Sequence, residues 1–421
     1  MKHKVEAFDI WHYVCGANYN YAPLIRFRIY LRGCVDAEIL KKAVTLSLDT
    51  APLLGCVFDA TAKRPRWIER GFSGGDIVSL VEGDVVTDCQ IDKYQSVDID
   101  ISSEPQLKII IARKNNCDTI CIAINHMICD GVGYKQYLYL LCDIYTRLIN
   151  GKEPPPQSFM PRGLKPLLAG IPLKERIRLL RLKKDYNAPP DNHVQRGLDD
   201  NDGAVEAYML KRKLIEADFN ALKVFLKSRN ATVNDGLLAL FARAFCKATG
   251  TERIHIPSTM DLRKFMKKNA KYGIGNYTCN CICSIPVAPG DTFEKTVAEV
   301  SRQMTEFKSE NGILKSMLVW DLVTRLTAPA KILENFTKFM KLPTFFFTNT
   351  GIVDAELLNF NGIPVEDAYM MSPFKHRPYL QFTASTFNGC CMLSCNIYGA
   401  EGDRQFVSRL FDDICAEAAA L

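Results

Sequence analysis

The chain has 421 residues, of which 48% are apolar, and 53 Lys and Arg against 47 Asp and Glu leave a formal net charge of +6. That length exceeds the size at which a single core keeps growing and favours two domains, the mild charge gives no footprint for nucleic acid, and no uninterrupted apolar run would span a bilayer. The 16 cysteines show no regular framework of spacings, and Met1 to Glu6 leads into no apolar signal segment, so reduced thiols and a cytoplasmic protein are expected.

In chain order, the alternation of Ile25, Phe27, Ile29 and Leu31 with Arg26, Arg28 and Tyr30 predicts a strand over 22–31. Asp36 is placed as an N-cap, opening a helix with Leu40, Ala43, Val44 and Leu48 on one side that closes before Pro52. Two further strands, 106–113 and 119–125, flank the turn Asn115-Asn116-Cys117-Asp118. They deliver the chain to His126-Met127-Ile128-Cys129-Asp130-Gly131. An imidazole therefore sits where a strand ends, the position at which α/β proteins keep their chemistry, and it can act as a general base near neutral pH. A helix over 132–149 follows, with Asp130 placed to cap it, and Pro154-Pro155-Pro156 forbids its continuation.

The stretch 165–186 is the most basic amphipathic segment. It sets Lys174, Arg176, Arg178, Arg181, Lys183 and Lys184 among Leu173, Ile177, Leu179, Leu180 and Leu182. It is expected to be a solvated crossover helix laying its Leu face on the body, although the same charges suit an acidic carrier protein, the phosphates of coenzyme A or an anionic membrane surface. A polar run over 199–203 closes this linker. The expected division is an N-terminal lobe over 1–160, a basic linker over 161–203 and a C-terminal lobe over 204–421.

In the second half, Thr232-Val233-Asn234-Asp235 opens a helix that Gly250 ends, followed by a strand over 253–258 and by Met260-Asp261-Leu262-Arg263. Cys279, Cys281 and Cys283 share one face of a strand. Their side chains point in parallel without a C-x-x-C knuckle, which suits core packing rather than a metal. Asn388-Gly389 predicts a hairpin between 377–386 and 390–398, and a final helix spans 403–420. The remaining histidines, His3, His12, His193, His255 and His376, carry no motif and read as structural or surface residues. Cys129 is not assigned as a nucleophile.

The pattern H-x-x-x-D-G at His126, Asp130 and Gly131 resembles the active-site signature of the chloramphenicol acetyltransferase, condensation-domain and BAHD superfamily of acyltransferases. Arg263 in its D-x-R context, Gly275-Asn276-Tyr277 and Thr348-Asn349-Thr350-Gly351 are similar to further landmarks of that superfamily, so the resemblance spans nearly the whole chain. It implies an α/β fold of two chloramphenicol-acetyltransferase-like lobes, each a mixed sheet with helices, and an active-site tunnel between them. It further implies that His126 is the general base, that Asp130 pairs with Arg263 rather than with the base, and that an acyl group moves from a thioester to a small-molecule alcohol or amine. The donor would be acyl-CoA or the phosphopantetheine thioester of an acyl carrier protein, with no metal and no permanently bound cofactor. Gly131 and Gly133 would either let the backbone approach the thioester or merely permit a tight turn. Asn349, Thr350, Ser385 and Thr386 are candidate oxyanion or acceptor contacts.

Three departures bear on substrate. Asn125 stands where peptide-synthetase condensation domains usually carry the first of two histidines, the D-F-G-W-G segment of the plant enzymes is missing, and no attached adenylation or carrier domain is expected. The resemblance therefore points to a stand-alone enzyme of secondary metabolism, similar to alcohol O-acyltransferases or polyketide-associated acyltransferases. The alternatives are a stand-alone amide-forming condensation enzyme working between carrier proteins and a catalytically idle binding scaffold; intact His126, Asp130 and Arg263 argue against the scaffold.

Overall fold

The computed structural model describes residues 1–61, 64–83, 87–156, 158–182, 204–309, 311–340 and 343–421. The Leu24–Leu31 strand pairs antiparallel on one side with Cys117–Asn125 and on the other with Val365–Met371. Leu107–Lys114 and Val78–Glu82 complete this five-stranded sheet. One face carries Phe27, Ile29 and Leu31 into a core shared with the helices Ala37–Ser47 and Gly131–Ile149. The opposite face is also covered: Arg26 and Arg28 are 0% and 1% exposed. Helix Asp88–Ser96 lies over them, its Gln95 carbonyl accepting from Arg26 Nε at 2.7 Å and its Asp92 pairing with Arg28 at 2.8 Å. The buried guanidinium groups are thus hydrogen-bonded, as burial of charge requires.

The second sheet has seven strands among the described residues and is mixed. Thr278–Pro286 and Arg253–Asp261 run antiparallel, Phe345–Ile352 runs parallel to Leu380–Phe387, and Cys390–Gly399 pairs with Glu206–Leu214 and Lys375–His376. Helix Val233–Thr249 packs behind it. Its start is a reciprocal cap in which Thr232 and Asp235 each accept the other's backbone N–H, and Gly250 ends it at φ +68°. Asn388 and Gly389 both take positive φ at the hairpin of Leu380–Phe387 with Cys390–Gly399. Two lobes, each a mixed or antiparallel sheet with helices, are therefore present.

The division into 1–160 and 204–421 does not follow the sheets. Val365–Met371 belongs to the first sheet, and Val353, Leu358 and Phe360 lie in the first lobe's core, because the Leu24–Leu31 strand would otherwise be an open edge. In the other direction, helix Ala7–Asn18 sends Ile10 and Val14 against Ile332 and Phe336 of helix Pro329–Phe339.

The linker also departs from expectation. In place of one amphipathic helix there are two short ones, Lys165–Leu168 and Leu173–Leu180, separated by a turn ending at Pro172. In the second, only Leu179 is buried, while Leu173 is 69% exposed and Ile177 and Leu180 are also exposed, so the Leu face is not laid on the body. Leu173, Ile177 and Leu180 recur at i, i+4 and i+7 and share one face, whereas Leu179 lies on the opposite face, which is the one turned to the second lobe's core. Lys183, Lys184, His193 and the run 199–203 lie outside the described residues. No described helix is long and apolar enough to cross a membrane.

Candidate active site

The Cys117–Asn125 strand delivers its last residue into a tightly bonded turn. Asn125 Nδ2 donates to Gln106 Oε1 at 2.7 Å, and its Oδ1 accepts the Met127 N–H at 2.9 Å. The Asn125 side chain is therefore fully employed in holding the turn. The His126 N–H donates to the Pro23 carbonyl at 2.6 Å. From beyond the strand, Asn276 Nδ2 donates to the His126 carbonyl at 2.8 Å, and Arg162 Nη2 donates to the carbonyls of Met127 and Ile128 at 3.0 and 2.8 Å. Arg162 is itself buried and paired with both oxygens of Asp9 at 2.8 Å. The backbone beneath the imidazole is thus clamped by two side chains remote in sequence.

Asp130 accepts four N–H groups: Arg263 Nη1 and Nη2, each at 3.0 Å, Gly133 at 2.9 Å and Tyr277 at 2.7 Å. Its oxygens are thereby committed to the ion pair, the start of helix Gly131–Ile149 and the loop of the second lobe, so the carboxylate straps the lobes together. A Cβ on Gly133 would lie 3.0 Å from the Gly275 carbonyl oxygen and 3.0 Å from Cys129 Cβ, which makes this glycine a packing requirement. Gly131, in contrast, lines the cavity described next.

The His126 ring borders a cavity of about 350 Å³ formed by both lobes, whose wall includes Gly131, Thr259, Thr350, Met370 and Thr383. His12, from helix Ala7–Asn18, stacks on His126 with ring centroids 3.9 Å apart and planes 21° apart. Nδ1 of His126 is buried without a hydrogen-bond partner. Burial holds the His126 pKa below the usual 6.5, assisted by the nearby Lys375 charge and opposed by adjacent backbone and Asp130. Burial, then His126 and Lys375, push His12 lower still. Lys375 Nζ sits 3.1 Å from the centroid of the Tyr21 ring, and burial lowers its pKa to about 7.

The other residues singled out from the sequence are divided. Thr350 lines the cavity, but its hydroxyl donates to the Ala384 carbonyl at 2.9 Å. Asn349, Ser385 and Thr386 are not in the wall: Asn349 Oδ1 accepts the Gly351 N–H at 2.9 Å, and Ser385 Oγ accepts from the Met370 N–H at 3.4 Å. The wall instead carries Gln381 and Thr383, which precede Ser385 by even steps along the same strand and so share its face. Thr383 Oγ1 is buried without a partner. Burial pushes the Cys129 thiol pKa far up, which disfavours a thiolate. Cys281 and Cys283 pack their sulfurs on Met304, and no metal-ligating group of three appears among the described residues. His12, Arg162 and Lys375 carry no motif, and their places follow only from long-range packing.

No family model and no curated protein matches the chain. Solved structures do. The first condensation domain of the CDA synthetase superposes with a TM-score of 0.71 at 14% identity over 100% of this chain and 96% of that one. Polyketide synthase associated protein 5 from Mycobacterium tuberculosis gives 0.69 at 15% identity over 99% and 98%. The trichothecene 15-O-acetyltransferase from Fusarium sporotrichioides gives 0.70 at 12% identity over 99% and 95%. The chain thus has the two-lobed, chloramphenicol-acetyltransferase-like fold of these proteins along its full length.

Proposed function

We propose that the chain is an acyltransferase that moves an acyl group from a thioester, carried by coenzyme A or by an acyl carrier protein, to the hydroxyl or amine of a small molecule. The observation that carries this reading is His126, its backbone clamped and its ring neutral, on a cavity between two lobes whose arrangement is that of condensation domains and of an O-acetyltransferase. A thioester is already activated, so the work left to the protein is to deprotonate the acceptor and to stabilise the tetrahedral oxyanion. In this reading the acceptor gives its proton to His126 as its oxygen or nitrogen attacks the thioester carbonyl. The intermediate collapses, the C–S bond breaks, and the imidazolium returns the proton to the departing thiolate. Thr383, whose hydroxyl has no partner in the cavity wall, is a better candidate for the oxyanion than Thr350, whose hydroxyl is engaged.

The test is thiol release from a panel of acyl-CoAs and an acylated carrier protein, each offered with alcohols and amines. Acceptor-dependent release that disappears in His126→Ala is expected. Release independent of His126 would overturn the role of the base. A folded protein that releases no thiol from any pair would overturn the enzyme reading in favour of the scaffold.

A further inference from the structure

Lys375 is 7% exposed, lines the same cavity as His126, and has no hydrogen-bond acceptor among the described residues. Its ammonium rests on the face of Tyr21. The titratable groups around it are Cys15, Tyr21, His12 and His126, none of them a carboxylate, and Lys315 is a second cation of the wall. The one carboxylate in the wall, Asp130, is saturated by its four donors. An ammonium held in an aromatic and aliphatic cavity is costly unless something balances it, and a single cation–π contact does so only in part. The rest of the wall is largely apolar, with Trp11, Trp320, Phe346 and Met371 contributing. A ligand that suits such a wall is largely apolar and carries a negative charge.

We propose that Lys375 is a specificity residue that receives a carboxylate or comparable single anionic group on an aromatic or aliphatic substrate bound in the cavity beside His126. The assignment of that substrate as the acyl acceptor rests on the acyl-transfer reading; the anion site itself does not. A bound anion would also offset the positive charge that now disfavours protonation of His12 and His126.

The experiment is calorimetric titration of the intact protein with 3-phenylpropanoate and with its neutral amide. At about pH 6 the carboxylate should bind at least ~10-fold more tightly than the amide, as a charge-assisted contact in a desolvated site requires. The preference should fade above about pH 8 as the ammonium loses its proton, disappear in Lys375→Met, persist in part in Lys375→Arg, and survive in His126→Ala. Equal binding of the two probes by the native protein would overturn the proposal, as would a preference that Lys375→Met leaves unchanged. The native pH dependence keeps the test decisive should Lys375→Met fail to fold. Anion preference without thiol release would count against the acyltransferase reading alone; thiol release without anion preference would count against this site alone.

Discussion

The imidazoles of His12 and His126 lie face to face at 3.9 Å, one from the N-terminal helix and one from the end of a central strand. Two protonated rings at that separation would repel strongly in a buried setting, so protonating either one opposes protonation of the other. Burial, the larger cause, lowers both pKa values, so the pair is neutral at pH 7, which is the state a general base needs.

Activity should accordingly rise with pH along a limb that lies below the ordinary imidazole value of 6.5 and reach its plateau by neutrality. The sign follows from burial, which disfavours the charged form and so leaves the base free at lower pH. His126→Ala should lower turnover by about 10²–10⁴-fold with the fold retained. A pH profile of kcat/KM on the native protein and on His12→Phe checks the coupling. In the variant the limb should stay below 6.5, because burial, the largest cause, is retained and His12, held lower still, is uncharged while His126 titrates; a limb restored to 6.5 would mean that the His12 ring is itself the cause.

Cutting either member of the Asp130–Arg263 pair should cost about 3–5 kcal/mol, because the charge left behind stays buried. Asp130→Leu with Arg263→Met should cost less than the sum of the single changes. Some loss should remain, since the Gly133 and Tyr277 N–H groups lose their acceptor in any variant without the carboxylate. Chemical denaturation of the four proteins measures this, and strictly additive losses would refute the coupling.

Asn276→Leu removes the donor that holds the His126 carbonyl and should lower kcat by up to about 10²-fold while changing KM little, the signature of a displaced reacting group. A change confined to KM would place Asn276 in substrate binding instead.

Gly133→Ala should destabilise by about 1–3 kcal/mol, because the added methyl meets Gly275 backbone and Cys129 Cβ at 3.0 Å in a packed junction. Thermal unfolding reads the loss. Gly131→Ala, whose nearest obstacle is the flexible Met370 side chain, should be milder in stability and more severe in activity.

Reversing Lys174, Arg178 and Arg181 should alter neither kcat nor KM with an acyl-CoA donor, since solvated charges contribute little singly. A selective rise in KM with a carrier-protein donor would instead assign the exposed Leu173–Leu180 helix to docking.

Local chemistry made much of the fold legible: the Asp36 cap, the Thr232–Asp235 box, the Gly250 stop and the Asn388-Gly389 turn each fix an element through neighbours in sequence. His126 was legible because a motif surrounds it. Arg162, His12 and Lys375 were not, because each acts on a residue that only the assembled lobes bring near. Asn349 and Ser385 lie outside the cavity wall, and the side-chain oxygen of each already accepts a backbone N–H, which the residue type alone does not reveal. Gln381 and Thr383 share the face of Ser385 and line the cavity four and two residues ahead of it.

The pairing of Val365–Met371 with Leu24–Leu31 has a consequence for how the protein is made. During synthesis, the Leu24–Leu31 strand leaves the ribosome with one side unpaired, and it stays so until Val365–Met371 has emerged. Closure of that sheet is a contact between segments far apart in sequence, the kind that folds slowly and leaves an adhesive edge in the meantime. Truncation before Val365 should therefore yield aggregating protein rather than a soluble lobe, and the two lobes should melt in one transition.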